Sequence, residues 1–169
     1  IIFIFKKRIQ YLIGDLLFTI FKKGTKNIVY LWARKEFQNI SKCYDCGIPV
    51  VKPRHVSKNI LIMDFEGKDG KPENTLLESE IDENDYHQSI ELISDLFKKA
   101  KLVHGDFSEY NIFKTKNGLK LFDLGSAVDR THPNTMNFLK RDINNITNFF
   151  VKRGLTVENP ADILERITK

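Results

Sequence analysis

Apolar positions along residues 28–46 follow a helical beat. Val29, Ala33, Glu36, Ile40 and Cys43 are spaced alternately four and three apart, with Trp32 and Phe37 beside them. This period predicts a helix whose apolar face carries one carboxylate, Glu36. A carboxylate there needs a partner. A lysine at the helix edge would satisfy it, and so would a functional ion pair with a lysine from elsewhere. A second helix is predicted over 86–100, with Ile90, Ile93, Phe97 and Ala100 on one face. A third is predicted over 135–152, where Met136, Leu139, Ile143, Ile146 and Phe150 keep the same beat. Pro160 sits where a short last helix would begin.

Between the helices the pattern shortens. "IIFIF" at residues 1–5 is β-branched and aromatic and reads as a strand. "NILIMDF" reads as a buried strand, and "EGKDGKPEN" after it as a polar loop. "IFKTKNGLKLFD" reads as a hairpin turning at Lys116-Asn117-Gly118.

With 169 residues, the chain suits one domain with a real core, or a large lobe plus part of a second. The net charge of +5 favours an acidic partner such as a nucleotide or RNA. The two cysteines, Cys43 and Cys46 in "CYDC", form half a zinc site at best; a reduced pair beside a helix end at Gly47 accounts for them and fits an intracellular protein. No apolar run approaches the ~20 residues of a membrane helix, so no membrane partner is expected. The chain opens at Ile1 and its methionines are Met63 and Met136, so a preceding N-terminal portion is expected.

The chemistry lies in "HGDFSEYN". Asp106 and Asn111 precede the hairpin, and "LFDLG" follows it. A tight strand-turn-strand brings Asp123 back beside Asn111. Carboxylate and carboxamide oxygens are ligands that Mg²⁺ accepts, usually alongside substrate phosphates. Asn111 and Asp123 are therefore the candidate metal ligands, and Asp106, offset from them, is the candidate base or orienting group. The spacing is that of a kinase catalytic loop followed by its metal-binding aspartate. His104 reads as structural, packing under the loop and bonding to backbone.

Further segments carry a resemblance. "YLIGD", "WARKEFQN", "GIPVVKP", "ILIMDFEG", "LVHGDFSEYNIF" and "HPNTMNFLKRDINNITNFF" are similar, in order, to signature segments of the RIO-type atypical protein kinases, Rio-one branch. The resemblance implies an α+β, protein-kinase-like fold. Residues 1–63 would be a partial N-lobe lacking the Gly-rich loop and the lysine strand. Residues 64–68 would be the hinge, and 69–169 a reduced, mainly helical C-lobe with a catalytic hairpin. It implies an ATP-dependent serine/threonine kinase or ATPase using Mg²⁺ or Mn²⁺. Asp106 would be catalytic, Asn111 and Asp123 the metal ligands, and Asp123 also an acceptor of the γ-phosphate. Glu36 would pair with the nucleotide-binding lysine. Backbone groups of Asp64 and Glu66 would meet adenine, with side-chain identity of little consequence. The partners implied are ATP and the pre-small-ribosomal-subunit particle, protein and rRNA, in the cytoplasm with nuclear shuttling.

Two departures stand out. The family's Gly-rich loop and phosphate-binding lysine lie upstream of the segment matching residues 2–15, and Lys6 and Lys7 fall beyond the lysine's position. "DLGSAVD" also replaces the family's D-V-S-Q-S-V-E. The competing expectations are a small-molecule phosphotransferase of the aminoglycoside or choline kinase type, and a kinase-like binding module without turnover.

Overall fold

The computed structural model describes residues 25–169. The strand expected at residues 1–5 and the segment "YLIGD" lie outside the described residues. Helix α1 spans Thr25–Asp45. Its buried face carries Ala33, Ile40 and Cys43, as the period predicts. It ends in a Schellman turn: Ile48 N–H donates to Cys43 O and Gly47 N–H to Tyr44 O, with Gly47 at a φ of 72°. Cys43 and Cys46 are free thiols at this turn, the first buried and the second exposed. Burial pushes the Cys43 thiol up to about 12.

Strands β1 (Pro53–Ser57) and β2 (Ile60–Met63) then pair antiparallel. "NILIMDF" was expected to be a buried strand; β2 is instead half of an open hairpin. Ile60 and Ile62 are exposed, while Leu61 and Met63 pack against the core. Where a polar loop was expected, β3 (Gly67–Lys68) and β4 (Lys71–Pro72) make a miniature hairpin. Its turn, Asp69-Gly70, has φ of 53° and 76°, the geometry that Asp-Gly favours between paired strands.

Helix α2 spans Glu83–Lys98. Asp82 caps it, accepting from Asp85 N–H while the Asp85 side chain accepts from Asp82 N–H. The pair β6 (Ile112–Thr115) and β7 (Gly118–Leu121) forms the predicted hairpin, entered from β5 (Leu102–Val103) and left towards β8 (Val128–Asp129), which pairs with β5. The hairpin is gripped from both edges. Val51 N–H donates to Leu121 O and Leu121 N–H to Pro49 O on one side; Lys114 N–H donates to Asn74 O on the other. Helix α3 (Thr135–Lys152) buries Leu139, Ile143, Ile146 and Phe150. Met136, expected on that buried face, is 44% exposed; in the first turn Thr135, Phe138 and Leu139 face the core instead, which leaves Met136 at the edge of the stripe. Helix α4 (Pro160–Thr168) starts with Asn159 accepting from Ala161 N–H and Pro160 in its first turn.

One continuous core joins α1, α2, α3, α4 and the hairpin through Ile40, Leu96, Phe107, Ile112, Leu121, Ile143, Phe150 and Ile163. Among the described residues, no helix is long and apolar enough to cross a membrane.

Candidate active site

The site is built where the β6–β7 hairpin meets α1 and α3. The loop 104–111 is held from below. His104 is buried and stands edge-on to Phe107, with ring centroids 5.4 Å apart. Packing under the loop is as expected; the ring nitrogens fall outside strict hydrogen-bond geometry but lie against the backbone of Asp123 and of His104 itself, where polar attraction favours the protonated ring. Burial lowers the imidazole pKa, and the charges of Asp123 and Asp106 pull the other way.

Asp142 on α3 does most to shape the loop. It is 1% exposed. Its carboxylate accepts from Gly105 N–H at 2.7 Å and from Phe107 N–H at 3.1 Å, bracketing Asp106. Its neighbour Arg141 donates to Gly105 O. With its backbone pinned on both sides, Asp106 leaves its own side chain exposed to the cleft. Burial pushes the Asp142 carboxyl up to about 7, against the pull of both N–H donors and Arg141. Asp142 was missed in the sequence. Its signal was an aspartate flanked by Leu139 and Ile143 on an apolar helical face, the same anomaly that drew attention to Glu36.

Asn111 closes the loop. Its Nδ2 donates to Asp106 O at 2.9 Å, which fixes the carboxamide and leaves Oδ1 as an acceptor. Phe122 N–H donates to Asn111 O at 3.2 Å, so the hairpin returns Asp123 to Asn111's side, as the spacing predicted. Asp123 Oδ1 accepts from Gly125 N–H. Gly125 is required by close approach. A Cβ there would lie 2.7 Å from Trp32 Nε1, 3.3 Å from Glu36 Oε2 and 3.4 Å from Asp123 Oδ1. Glu36 thus looks from α1 into the Asp123 loop. Glu36, far from them in the chain, joins the Asp106, Asn111 and Asp123 cluster through the Asp123 loop.

The hinge residues lie apart from this cluster. Asp64 takes a two-pronged ion pair from Arg54, with Nη2 to Oδ2 at 2.7 Å, and its pKa is lowered by that bond. Glu66 Oε1 meets Lys120 Nζ at 2.7 Å. In the backbone, Asp64 N–H donates to Lys52 O and Glu66 O accepts from Glu73 N–H.

The donor set suits a hard divalent cation: one carboxylate and one fixed carboxamide oxygen, with room for phosphate oxygens or water. Among the described residues, no three His, Cys, Asp or Glu side chains form a closed metal cage. Such a site would rely on its substrate to complete the shell.

The RIO domain family model matches residues 2–163. The serine/threonine-protein kinase rio1 of Dictyostelium discoideum is 34% identical over 173 residues, covering 99% of this chain and 30% of its own length. The RIO-type serine/threonine-protein kinase Rio1 of Thermoplasma acidophilum is 37% identical, covering 95% of this chain and 84% of itself. The Rio2 kinase of Chaetomium thermophilum, solved as an ADP/Mg²⁺-phosphoaspartate complex, superposes with a TM-score of 0.67 at 25% identity, over 83% of this chain and 45% of that one. The chain thus spans less than half the length of two of these three relatives. It has the protein-kinase-like fold of that group, and it belongs to the RIO domain family.

Proposed function

We propose that the chain is the core of an ATP-dependent serine/threonine protein kinase, or an ATPase, of the RIO type. One observation carries this reading. Asn111 is tied to the Asp106 carbonyl, the hairpin sets Asp123 beside it, and Glu36 faces the Asp123 loop from α1. Phosphoryl transfer asks a protein mainly for positioning and charge neutralisation; this cluster offers the positioning, and a divalent cation held by its oxygen ligands would supply the neutralisation.

Asn111 Oδ1 and Asp123 would hold Mg²⁺ or Mn²⁺, which would neutralise charge on the phosphates. Asp106, exposed on a pinned loop, orients or deprotonates the acceptor. Glu36 would pair with a nucleotide-binding lysine. The Asp64 carbonyl and the Glu66 N–H are not used by the two hinge backbone bonds above, and they are the groups left for the adenine edge. Asp123 would also accept the γ-phosphate, a carboxylate oxygen attacking phosphorus while ADP leaves; the phosphoaspartate complex of the Rio2 relative supports this. The pre-small-ribosomal-subunit particle, protein and rRNA, is the proposed partner, in the cytoplasm with nuclear shuttling.

The test is ATP turnover and acyl-phosphate formation by the full-length protein. Asp123→Ala should abolish both, and label from γ-labelled ATP should be released from the wild type by hydroxylamine. Turnover unchanged in Asp123→Ala would overturn the metal assignment. Phosphorylation of aminoglycosides or choline would favour a small-molecule kinase.

A further inference from the structure

The β6–β7 hairpin has two faces with different destinations. Antiparallel pairing puts Phe113 opposite Lys120, and Phe122 follows two residues on, so these three share one face. Ile112, Leu119 and Leu121 point the other way, into the core. On the first face Phe113 and Phe122 stack, centroids 4.1 Å apart and planes 25° from parallel, both half-buried. Phe122 directly precedes Asp123, and Phe113 lies two residues beyond Asn111. Lys120 leaves the same face and reaches Glu66 in the hinge at 2.7 Å. Both partners are largely covered, with side chains 29% and 20% exposed.

We propose that Lys120 is a positioning residue for the nucleobase: its bridge to Glu66 holds the hinge backbone at a fixed distance from a Phe113–Phe122 shelf on which the base stacks. The proposal rests on the kinase reading and deepens it. An aromatic shelf favours a flat π-system, and stacking counts only if the base's hydrogen-bonding edge meets the hinge at the same time. The Asp64 carbonyl and Glu66 N–H are in the hinge; the shelf is on the catalytic hairpin. Among the described residues, Lys120–Glu66 is the side-chain bond joining the two. Asp64 pairs with Arg54 on β1 and feels the Lys120 charge without bonding it, while backbone bonds through Lys52 and Val51 bring its segment to the hairpin; the Lys120–Glu66 bridge is the brace that closes the gap at Glu66 itself. On this proposal the Glu66 side chain has a role of its own beside the backbone groups that the resemblance assigns to adenine.

The experiment measures ADP and Mg²⁺-tripolyphosphate binding by the full-length protein. Lys120→Met and Glu66→Gln should each weaken ADP about tenfold, leave tripolyphosphate within twofold, and raise the KM for ATP with kcat nearly unchanged. The exchanged pair Lys120→Glu with Glu66→Lys should recover most of the ADP affinity, which a general loss of packing would not do. ADP binding within twofold of wild type in both single variants would overturn the clamp alone. Equal weakening of ADP and tripolyphosphate would overturn it too, by showing a collapsed site. No ADP binding by the wild-type protein would overturn the kinase reading and the clamp with it.

Discussion

The loop 104–111 and the segment 64–68 both depend on carboxylates, held in opposite ways. Asp142 is buried, is bonded to two backbone N–H groups, and has its pKa raised to about 7 by desolvation. Asp64 is at the surface, is bonded to an arginine side chain, and has its pKa lowered. The first arrangement fixes the backbone to either side of Asp106 and is shielded from salt. The second joins side chains in water, where such pairs contribute little and are screened. A loop that presents one side chain at a set angle is thus built into the core, while the Asp64 side chain is held by a surface ion pair.

The sharpest way to break this comparison is at the chemistry. Asp106→Ala should lower kcat by about 10²–10⁴-fold, the usual range for removing a positioned acid or base, with ADP affinity nearly intact. Single-turnover kinetics beside ADP titration would check it. Loss of ADP binding with an unchanged rate would mean the pinned loop holds nucleotide and not the acceptor.

Next is the anchor. Asp142→Ala leaves two buried N–H groups without an acceptor and should cost about 2–5 kcal/mol of stability. Denaturant unfolding would measure this, and hydrogen exchange at Gly105 and Phe107 should rise with it. A cost under 0.5 kcal/mol would show that the loop holds itself.

The pH dependence sharpens the contrast. The folded pKa of Asp142 is raised above its unfolded value near 3.8, so the native state binds the extra proton. Stability from this group is full below about pH 4 and falls as pH rises towards 7, then levels off. The stability difference between wild type and Asp142→Asn should therefore shrink over that window. Asp64 has the reverse sign: its depressed pKa gives stability above the unfolded value, lost as pH falls through the folded one. The smallest effect is expected at Arg54→Met, a slight fall in Tm that vanishes in 1 M salt. A shift as large as that of Asp142→Ala would erase the distinction between the two regions.

Much of this was legible in the chain. The period over 135–152 matched α3 to the residue, because one wide apolar stripe leaves a helix a single way to sit on a core. The loop-hairpin-aspartate spacing placed Asn111 and Asp123 together, because a four-residue strand pair with a tight turn has only one return path. Glu36 was marked as odd by its apolar neighbours. The exposure of Ile60, Ile62 and Met136 was not legible, since apolar identity tells what a side chain prefers and not whether a neighbour arrives to cover it.

The sequence by itself determined the local elements and the residue types of the candidate chemistry, because periodicity, turn residues and ligand preference act over a few neighbouring positions. The tertiary structure decided which distant groups meet: Asp142 under the loop 36 residues before it, Glu36 at Gly125, and Lys120 at Glu66. Each of these pairings depends on the relative placement of elements packed by non-directional burial, and no local pattern encodes that placement.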